Sequence, residues 1–288
     1  MTAQILSGKS LSIEIEEKLR TKIAAHIAAG HRAPQLAVIL AGNHPASEIY
    51  IRHKQKACEK IGIISKKYAL SDNTTEEQIL NLISTLNHNI HTDGILVQMP
   101  LPAHIEKQKI IEQIDPKKDV DGFHPYNFGK LAQGNPLLRP CTPYGIIKLL
   151  EYYNISLTGL DVVIAGASNL VGRPMALELL LKGATVTVCH SRTTNIKNHV
   201  QQADIFISAM GKRSIIDSLW IKKGAIVIDA GIHRLDNNTL CGDLDFDSAR
   251  ERASYITPVP GGVGPMTVAM LMENTYKAFL DLMGENKQ

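Results

Sequence analysis

Residues 162–173 read VVIAGASNLVGR and join a short apolar run to a small-residue turn and a helix start. The run at 162–165 predicts a buried strand, because a strand covered on both faces needs an unbroken apolar stretch. Gly166, Ser168 and Gly172 occupy the bend that follows. Small residues there let backbone N–H groups approach a pyrophosphate, and the helix N-terminus adds partial positive charge. The segment therefore indicates a dinucleotide-binding turn.

The turn departs from the strict G-x-G-x-x-G pattern in two places. Ser168 and Val171 stand where the second and third glycines would be. An ordinary tight turn between a strand and a helix has the same composition. Spacing alone leaves both readings open.

The composition is that of a globular enzyme. The chain has 288 residues, enough for two domains, with 44% hydrophobic and 20% charged residues. A net charge of +3 is too small to indicate a nucleic-acid partner. No apolar run approaches the roughly 18 residues of a membrane span, and the N-terminal region carries acidic residues instead of an apolar leader, so we expect a cytoplasmic protein with no membrane partner.

The cysteines indicate neither a metal site nor a disulfide framework. They lie far apart, without a C-x-x-C pair, at Cys58, Cys141, Cys189 and Cys241. We therefore expect no metal and a reducing compartment.

Short apolar runs alternate with helix-length amphipathic stretches through two segments of the chain. The first predicts strands at 35–40, 67–70 and 94–98 and helices at 46–61 and 75–87. The second predicts strands at 161–165, 184–189, 204–208, 225–230 and 255–257 and a last helix at 267–282. The Pro- and Gly-containing stretch 115–143 reads as a loop or connection. The pattern predicts an α/β protein of two α/β domains, the second a Rossmann-like parallel sheet, with a cleft between them.

The end of the second strand in the later segment bears on the choice of cofactor. An acidic residue about 20 positions after the first glycine usually binds the adenosine ribose of NAD. Here the strand instead runs into Ser191 and Arg192, whose hydroxyl and guanidinium suit a 2′-phosphate. This favours NADP over NAD, although a lone arginine such as Arg192 is often only a solvated surface charge.

Ser47, Tyr50 and Lys54 lie on one face of a predicted helix, at spacings of three and four. A lysine on a partly buried face can transfer protons near neutral pH, because desolvation favours its neutral form. A lysine whose stem packs beside a tyrosine while its head reaches water is the plainer alternative. Short-chain dehydrogenases also use Ser, Tyr and Lys, but there the Y-x-x-x-K follows the nucleotide turn, whereas Lys54 precedes Gly166 by a whole domain.

Six motifs together resemble one family, the bifunctional methylenetetrahydrofolate dehydrogenase/methenyltetrahydrofolate cyclohydrolases (FolD). The resemblance covers nearly the whole chain. The motifs are AGNHPASEIYIRHKQKACEKIGI at 41–63, DGILVQMPLP at 93–102, PKKDVDGFHPYNFGKL at 116–131, PCTPYGIIKLL at 140–150, GASNLVGRPM at 166–175 and TPVPGGVGPMTVAMLMENT at 257–275.

The resemblance implies NADP-dependent oxidation of 5,10-methylenetetrahydrofolate to the methenyl cation, then hydrolysis to 10-formyltetrahydrofolate. It assigns proton transfer during hydrolysis to Lys54, and it implies that Gln98 holds that lysine by a hydrogen bond. It stacks Tyr50 on the folate and pairs Asp121 with the pterin N–H groups. Taken singly, Gln98 and Asp121 could equally be the polar end of a strand or turn.

The resemblance also implies a cofactor site and a cleft-lining loop. Pro260, Gly261 and Gly262 would line the folate and nicotinamide cleft, where absent side chains allow close approach. The implied cofactor-binding residues are Gly166, Ala167, Ser168, Gly172, Arg173, Ser191, Arg192, Gly231 and Ile232. Many members carry arginine where this chain has Ala167, so Ser191 and Arg192 become the expected anchors of the 2′-phosphate.

The expected domains are a catalytic, folate-binding domain at 1–141, completed by the C-terminal helix at 267–288, and an NADP-binding domain at 142–266. The family resemblance implies a homodimer. Two rival functions stay open at this point. One is an NAD(P)-dependent dehydrogenase of a small amino or hydroxy acid, which would not need Lys54, Gln98 and Asp121 together. The other is a catalytically silent folate-binding protein.

Overall fold

The structure is a computed structural model that describes residues 2–42, 45–237 and 239–284, with the backbone alone for 45–50. It forms two compact units. The six-strand unit comprises Met1–Ile13 and Thr142–Thr267, and the three-strand unit comprises Glu14–Cys141 and Val268–Gln288.

Short strands alternate with helices along the chain. The helices are α1 (Gly8–Ala28), α2 (Pro45–Ile61), α3 (Glu76–His88), α4 (Lys107–Gln113), α5 (Pro125–Ala132), α6 (Cys141–Tyr152), α7 (Gly172–Leu181), α8 (Ile196–Gln202), α9 (Phe246–Arg252) and α10 (Val263–Met283). The strands are β1 (Gln4–Ile5), β2 (Gln35–Ala41), β3 (Ile64–Leu70), β4 (Gly94–Val97), β5 (Asp161–Ala165), β6 (Thr185–Cys189), β7 (Ile205–Ser208), β8 (Ile226–Asp229), β9 (His233–Arg234), β10 (Leu240–Cys241) and β11 (Tyr255–Ile256).

The three-strand unit is built on a parallel sheet in the order β3-β2-β4. The central strand β2 is buried at every position, as its sequence QLAVILA requires. Helix α3 packs on this sheet through Ile79, Ile83 and Leu86, and a capping box of Thr75 and Gln78 starts it. The sheet thereby fixes the end of β4, where the motif DGILVQMPLP continues.

The six-strand unit is a parallel sheet in the order β1-β11-β8-β7-β5-β6. From β5 the chain moves outward to β6 and then returns to β7 on the other side of β5. The carboxyl ends of β5 and β7 therefore flank a topological switch point, the place where α/β sheets bind ligands. This parallel sheet and its alternating helices confirm the predicted α/β fold class.

The structure corrects the prediction of a loop over 115–143. This stretch contains α5 and the first residues of α6. Pro125 sits in the first turn of α5, the side chain of His124 accepts a hydrogen bond from the Tyr126 amide at 3.0 Å, and Asn127 and Leu131 are buried. Burial of one face stabilises a short helix whose composition alone reads as a turn. The last helix also begins at Val263, four residues before its predicted start.

No helix in the described part of the chain is both long enough and apolar enough to cross a membrane.

Candidate active site

Helix α2 of the three-strand unit carries Lys54 to the end of β4. The Lys54 Nζ donates a hydrogen bond to Gln98 Oε1 at 3.1 Å. Lys54 is only 9% exposed, whereas Gln98 is partly exposed. A buried ammonium held by a neutral amide keeps a proton at a defined position beside a surface that water can reach.

The sheet fixes the orientation of Gln98. Its backbone amide donates to the carbonyl of Ile39 at 2.9 Å, which prolongs the pairing of β4 with β2 by one residue. Its Nε2 donates to the carbonyl of Met99 at 2.8 Å. Because the amide nitrogen is committed to that carbonyl, Oε1 is left to face Lys54.

Asp121 lies near this pair in a tight loop. Gly122, at φ +74°, lets the loop pass close to another segment, because a Cβ there would come within 2.5 Å of the Pro140 nitrogen. Asp121 keeps partial solvent access, but burial raises its pKa to about 6, with the positive charge of Lys54 acting in the opposite direction. The structure thus joins Lys54 to Gln98 by a hydrogen bond and brings Asp121 within electrostatic range of Lys54.

The neighbouring carboxylate, Asp119, has a different environment. It is 1% exposed, and its Oδ2 accepts hydrogen bonds from the His124 amide at 2.8 Å and from Asn127 Nδ2 at 2.9 Å. Burial raises the pKa of Asp119 as well. Since these internal donors hold Asp119, Asp121 is the carboxylate of the two that remains accessible to a ligand.

Asn274 of α10 holds the Asp121 loop, and the sequence analysis did not identify it. Its Nδ2 donates to the Val120 carbonyl at 2.9 Å and to the Arg139 carbonyl at 2.8 Å. Asn274 is 3% exposed, so both bonds are protected from water. A buried asparagine among apolar helix residues was the available signal, because buried amides need partners.

Tyr50, which the resemblance places on the folate, has a side chain outside the described residues.

In the six-strand unit, the turn after β5 is too tight for a side chain at two positions, Gly166 and Gly172. A Cβ on Gly166, at φ +123°, would come within 2.2 Å of the Ala209 oxygen, and one on Gly172 within 1.9 Å of the Gly166 oxygen. Ser168 closes the turn, because its Oγ accepts the Val171 amide at 3.1 Å. The N-terminus of α7 therefore opens directly at the switch point, as a pyrophosphate site requires.

The turn also engages one of the predicted cofactor residues. Arg173 Nε donates to the Ala167 carbonyl at 3.2 Å. This contact ties the guanidinium to the backbone of the turn itself.

The loop after β6 carries Ser191 and Arg192, both exposed. The His190 amide donates to Thr193 Oγ1 at 2.9 Å, and the Arg192 amide donates to His190 Nδ1 at 3.2 Å. These local bonds shape the loop and leave the two predicted phosphate anchors on its surface.

Packing within the unit accounts for Gly231. A Cβ there would come within 2.2 Å of Asp243 Oδ1, so a neighbouring carboxylate excludes any side chain. Ile232, in contrast, is 45% exposed at the carboxyl edge of the sheet. An exposed isoleucine at a ligand-binding edge offers apolar surface to a bound ring.

The predicted glycines of the loop before α10 also have packing reasons. Gly261 adopts φ +106°, and a Cβ on Gly262 would come within 2.6 Å of the Pro258 oxygen. The neighbouring Pro260 is exposed. Its ring is therefore available to a ligand, while the glycines shape the loop.

Comparison with known proteins supplies the family. Residues 6–121 match the model of the tetrahydrofolate dehydrogenase/cyclohydrolase catalytic domain, and residues 140–282 match the NAD(P)-binding domain of the same family. These matches confirm the predicted oxidoreductase and hydrolase activities on tetrahydrofolate substrates. They also confirm that the cofactor is a nicotinamide dinucleotide.

Solved structures of similar proteins match nearly the whole chain. The bifunctional FolD methylenetetrahydrofolate dehydrogenase/cyclohydrolase of Campylobacter jejuni is 50% identical, with 97% of this chain and 99% of that chain covered and a TM-score of 0.94. The Trypanosoma brucei FolD, solved with NADP cofactor and an inhibitor, is 37% identical, with 98% of each chain covered and a TM-score of 0.93. The bifunctional enzyme of Thermoplasma acidophilum is 32% identical, with 98% of this chain and all of that chain covered and a TM-score of 0.90. The chain therefore belongs to the tetrahydrofolate dehydrogenase/cyclohydrolase family.

Proposed function

We propose that this enzyme oxidises 5,10-methylenetetrahydrofolate with NADP and hydrolyses the resulting methenyl cation to 10-formyltetrahydrofolate, with Lys54, Gln98 and Asp121 as the working residues. The observation that carries the proposal is the buried Lys54 held at 3.1 Å by Gln98 beside a partly exposed carboxylate. A dehydrogenase of amino or hydroxy acids would not need Lys54, Gln98 and Asp121 together.

The oxidation depends on positioning. NADP, when bound, accepts the hydride that leaves the carbon between N5 and N10 of the folate. The product cation is stabilised by both nitrogens, so no protein group has to move a proton in this step. The chain's task is to orient the pterin. Asp121 is proposed to do this by accepting hydrogen bonds from the amino and ring N–H groups of the pterin, with its charge strengthening both bonds. The side chain of Tyr50 is proposed to stack on the rings.

Hydrolysis requires proton transfer. Water attacks the bridging carbon and loses a proton, and the C–N5 bond breaks as N5 gains one. Lys54 is the group proposed to move these protons, since Gln98 holds its Nζ and its surroundings exclude most water. The net reaction releases one proton per methenyl cation hydrolysed.

The residues at the switch point fit a dinucleotide. Gly166 and Gly172 form a cradle that any Cβ would fill, and the start of α7 presents backbone N–H groups there. We propose that Gly166, Ala167, Ser168, Gly172 and Arg173 hold the pyrophosphate.

The remaining cofactor residues are proposed to contact the two ends of the dinucleotide. Ser191 and Arg192 are proposed to bind the 2′-phosphate, which favours NADP. Ile232, Gly231 and residues 260–262 are proposed to border the nicotinamide. The NADP bound in the Trypanosoma brucei relative supports this preference.

We also propose a homodimer in a reducing, cytoplasmic setting. The family resemblance supports the dimer. The free thiols support the compartment, since Cys58, Cys141, Cys189 and Cys241 form no disulfide.

A single assay tests the proposed function. Purified enzyme is given methylenetetrahydrofolate with NADP or with NAD, and the formation and decay of the methenyl compound are followed. We expect methenyl formation that prefers NADP, followed by decay faster than in buffer alone. Absence of substrate-dependent NADPH formation would leave a silent folate-binding protein as the better description.

A further inference from the structure

Asp243 is a buried carboxylate that follows the β9–β10 hairpin of the six-strand unit. Its side chain has no exposed surface. Oδ2 accepts hydrogen bonds from Ser208 Oγ at 2.9 Å, the Met210 amide at 2.9 Å and the Gly211 amide at 3.2 Å. Oδ1 lies 2.7 Å from His233 Nε2. One carboxylate therefore binds the end of β7, the loop after it and the start of the hairpin.

The loop at 209–211 lies against the nucleotide turn. The Ala209 amide donates to the Ala165 carbonyl at 2.8 Å, so this loop begins beside the last residue of β5. The Ala209 oxygen is the atom that a Cβ on Gly166 would approach within 2.2 Å. A shift of this loop by even 1 Å would change the space next to the first glycine of the turn.

A second carboxylate fixes Asp243 itself. Asp229 Oδ1 accepts the amides of Gly231 at 2.9 Å and Asp243 at 3.1 Å, and its Oδ2 accepts the Leu244 amide at 2.9 Å. Gly242 leaves room for this arrangement, because a Cβ there would come within 2.1 Å of Asp229 Oδ2. Asp229 and Asp243 together join the carboxyl ends of β8 and β7 through side chains 14 residues apart.

We propose that Asp243 is a positioning residue for the dehydrogenase reaction, which sets the affinity for the nicotinamide dinucleotide by holding the loop at 209–211 against Gly166. Asp243 acts through that loop and does not itself touch the cofactor. The inference rests on the proposed binding of NADP at this edge of the sheet. It adds a residue that neither the nucleotide-binding pattern nor the family motifs quoted above include.

The test compares Asp243→Ala with Asp245→Ala. The control removes a carboxylate two residues away, which caps α9 by accepting the Ser248 amide at 2.9 Å, whereas the Met210 and Gly211 amides donate to Asp243. We expect Asp243→Ala to raise the KM for NADP by about tenfold or more, since displacements of about 1 Å have effects of this size. The KM for methylenetetrahydrofolate should stay within about twofold, and Asp245→Ala should leave the KM for NADP within about twofold.

Cyclohydrolase activity separates positioning from general damage. It is measured on methenyltetrahydrofolate without cofactor, and we expect Asp243→Ala to retain the wild-type rate. Asp243→Asn keeps an oxygen that can accept the Met210 and Gly211 amides, so it should recover most of the NADP affinity. If Asp243→Ala does not fold, Ser208→Ala replaces it in the test. This variant removes only the bond from Ser208 Oγ to Asp243, so we expect a smaller rise in the KM for NADP.

Two results would overturn the inference. One is an unchanged KM for NADP in Asp243→Ala, or in Ser208→Ala if Asp243→Ala does not fold. The other is an equal loss of both activities in folded protein. Wild-type enzyme without NADP-dependent oxidation would instead refute the proposed function. In that case calorimetric titration of the same variants with NADP alone still decides the role of Asp243.

Discussion

Replacing Lys54 with methionine tests the proton-transfer step most directly. Methionine keeps most of the volume of the lysine stem but has no proton to donate to Gln98 Oε1, now 3.1 Å from Nζ. A positioned general acid or base contributes typically about 10²–10⁴-fold, or about 3–5 kcal/mol of activation free energy. We therefore expect cyclohydrolase activity to fall by that factor, while hydride transfer retains a larger share of its rate.

The substitution should leave the enzyme folded. Leaving Gln98 Oε1 without its charged donor costs about 1–3 kcal/mol, less than the total stability of about 5–15 kcal/mol of a typical domain. Circular dichroism and folate binding check this. Lys60→Met is the matched control on the same helix, because Lys60 makes an exposed ion pair with Glu16 at 2.8 Å that contributes little.

The assay supplies methenyltetrahydrofolate and follows its decay above the buffer background. It is run at pH 8, because loss of the Lys54 charge would raise the pKa of Asp121 above its present value of about 6. At pH 8 that carboxylate is largely ionised in wild type, which limits this indirect effect. Decay at the wild-type rate in folded Lys54→Met enzyme would refute the proton-transfer role.

Three further predictions concern the cofactor, the pterin and stability. Arg192→Ala should raise the KM for NADP about tenfold or more and leave the KM for NAD nearly unchanged, because a charge-assisted contact contributes about 1.5–3 kcal/mol; equal rises would contradict the assignment. Asp121→Asn should weaken folate binding at constant NADP affinity. Because burial raises the Asp121 pKa from 3.8 to about 6, its carboxylate forms as pH rises through about 6, so wild-type kcat/KM for methylenetetrahydrofolate should rise there and that limb should be missing from the variant. Because the folded-state pKa of Asp121 is raised, its contribution to stability is fully present below pH 3.8 and is lost as pH rises to about 6. The free energy of unfolding of Asp121→Asn, measured in urea, should therefore increase relative to that of wild type between pH 4 and pH 7. Asp93→Asn removes the charge from a buried carboxylate that pairs with the partly exposed Arg32 through two bonds of 2.7 Å, and it should lower the free energy of unfolding by about 1.5–3 kcal/mol; a loss under about 0.5 kcal/mol by denaturant titration would show that the pair is not needed.

The strands of the six-strand unit could be predicted closely from the sequence. Strand β5 occupies the predicted residues 161–165, and β6, β7 and β8 end within one residue of their predicted ends. A strand covered on both faces must be a short apolar run, so its local sequence carries the information. The turn after β5 was predictable for a similar reason. Only glycine fits where the backbone of another segment lies too close for a Cβ, as the Ala209 oxygen does at Gly166.

The stretch at 115–143 could not be predicted in the same way. Its Pro, Gly and Asn content favours turns, and helix α5 is only eight residues long. What stabilises α5 is burial of Asn127 and Leu131 and the bond from Asn127 to Asp119. These contacts come from the surrounding fold, and local propensity does not contain them.

The sequence by itself determined the α/β class, the place of the nucleotide turn and a short set of candidate residues, because buried strands and glycine turns leave local patterns. The tertiary structure decided which carboxylates are held by internal hydrogen bonds and which stay accessible to a ligand. Asp119 and Asp121 are two residues apart and chemically identical, yet internal donors hold the first and leave the second partly accessible. Asp229 and Asp243 become partners only when β8 and the hairpin fold back together. The state of a carboxylate depends on its burial and its donors, and distant parts of the chain supply both.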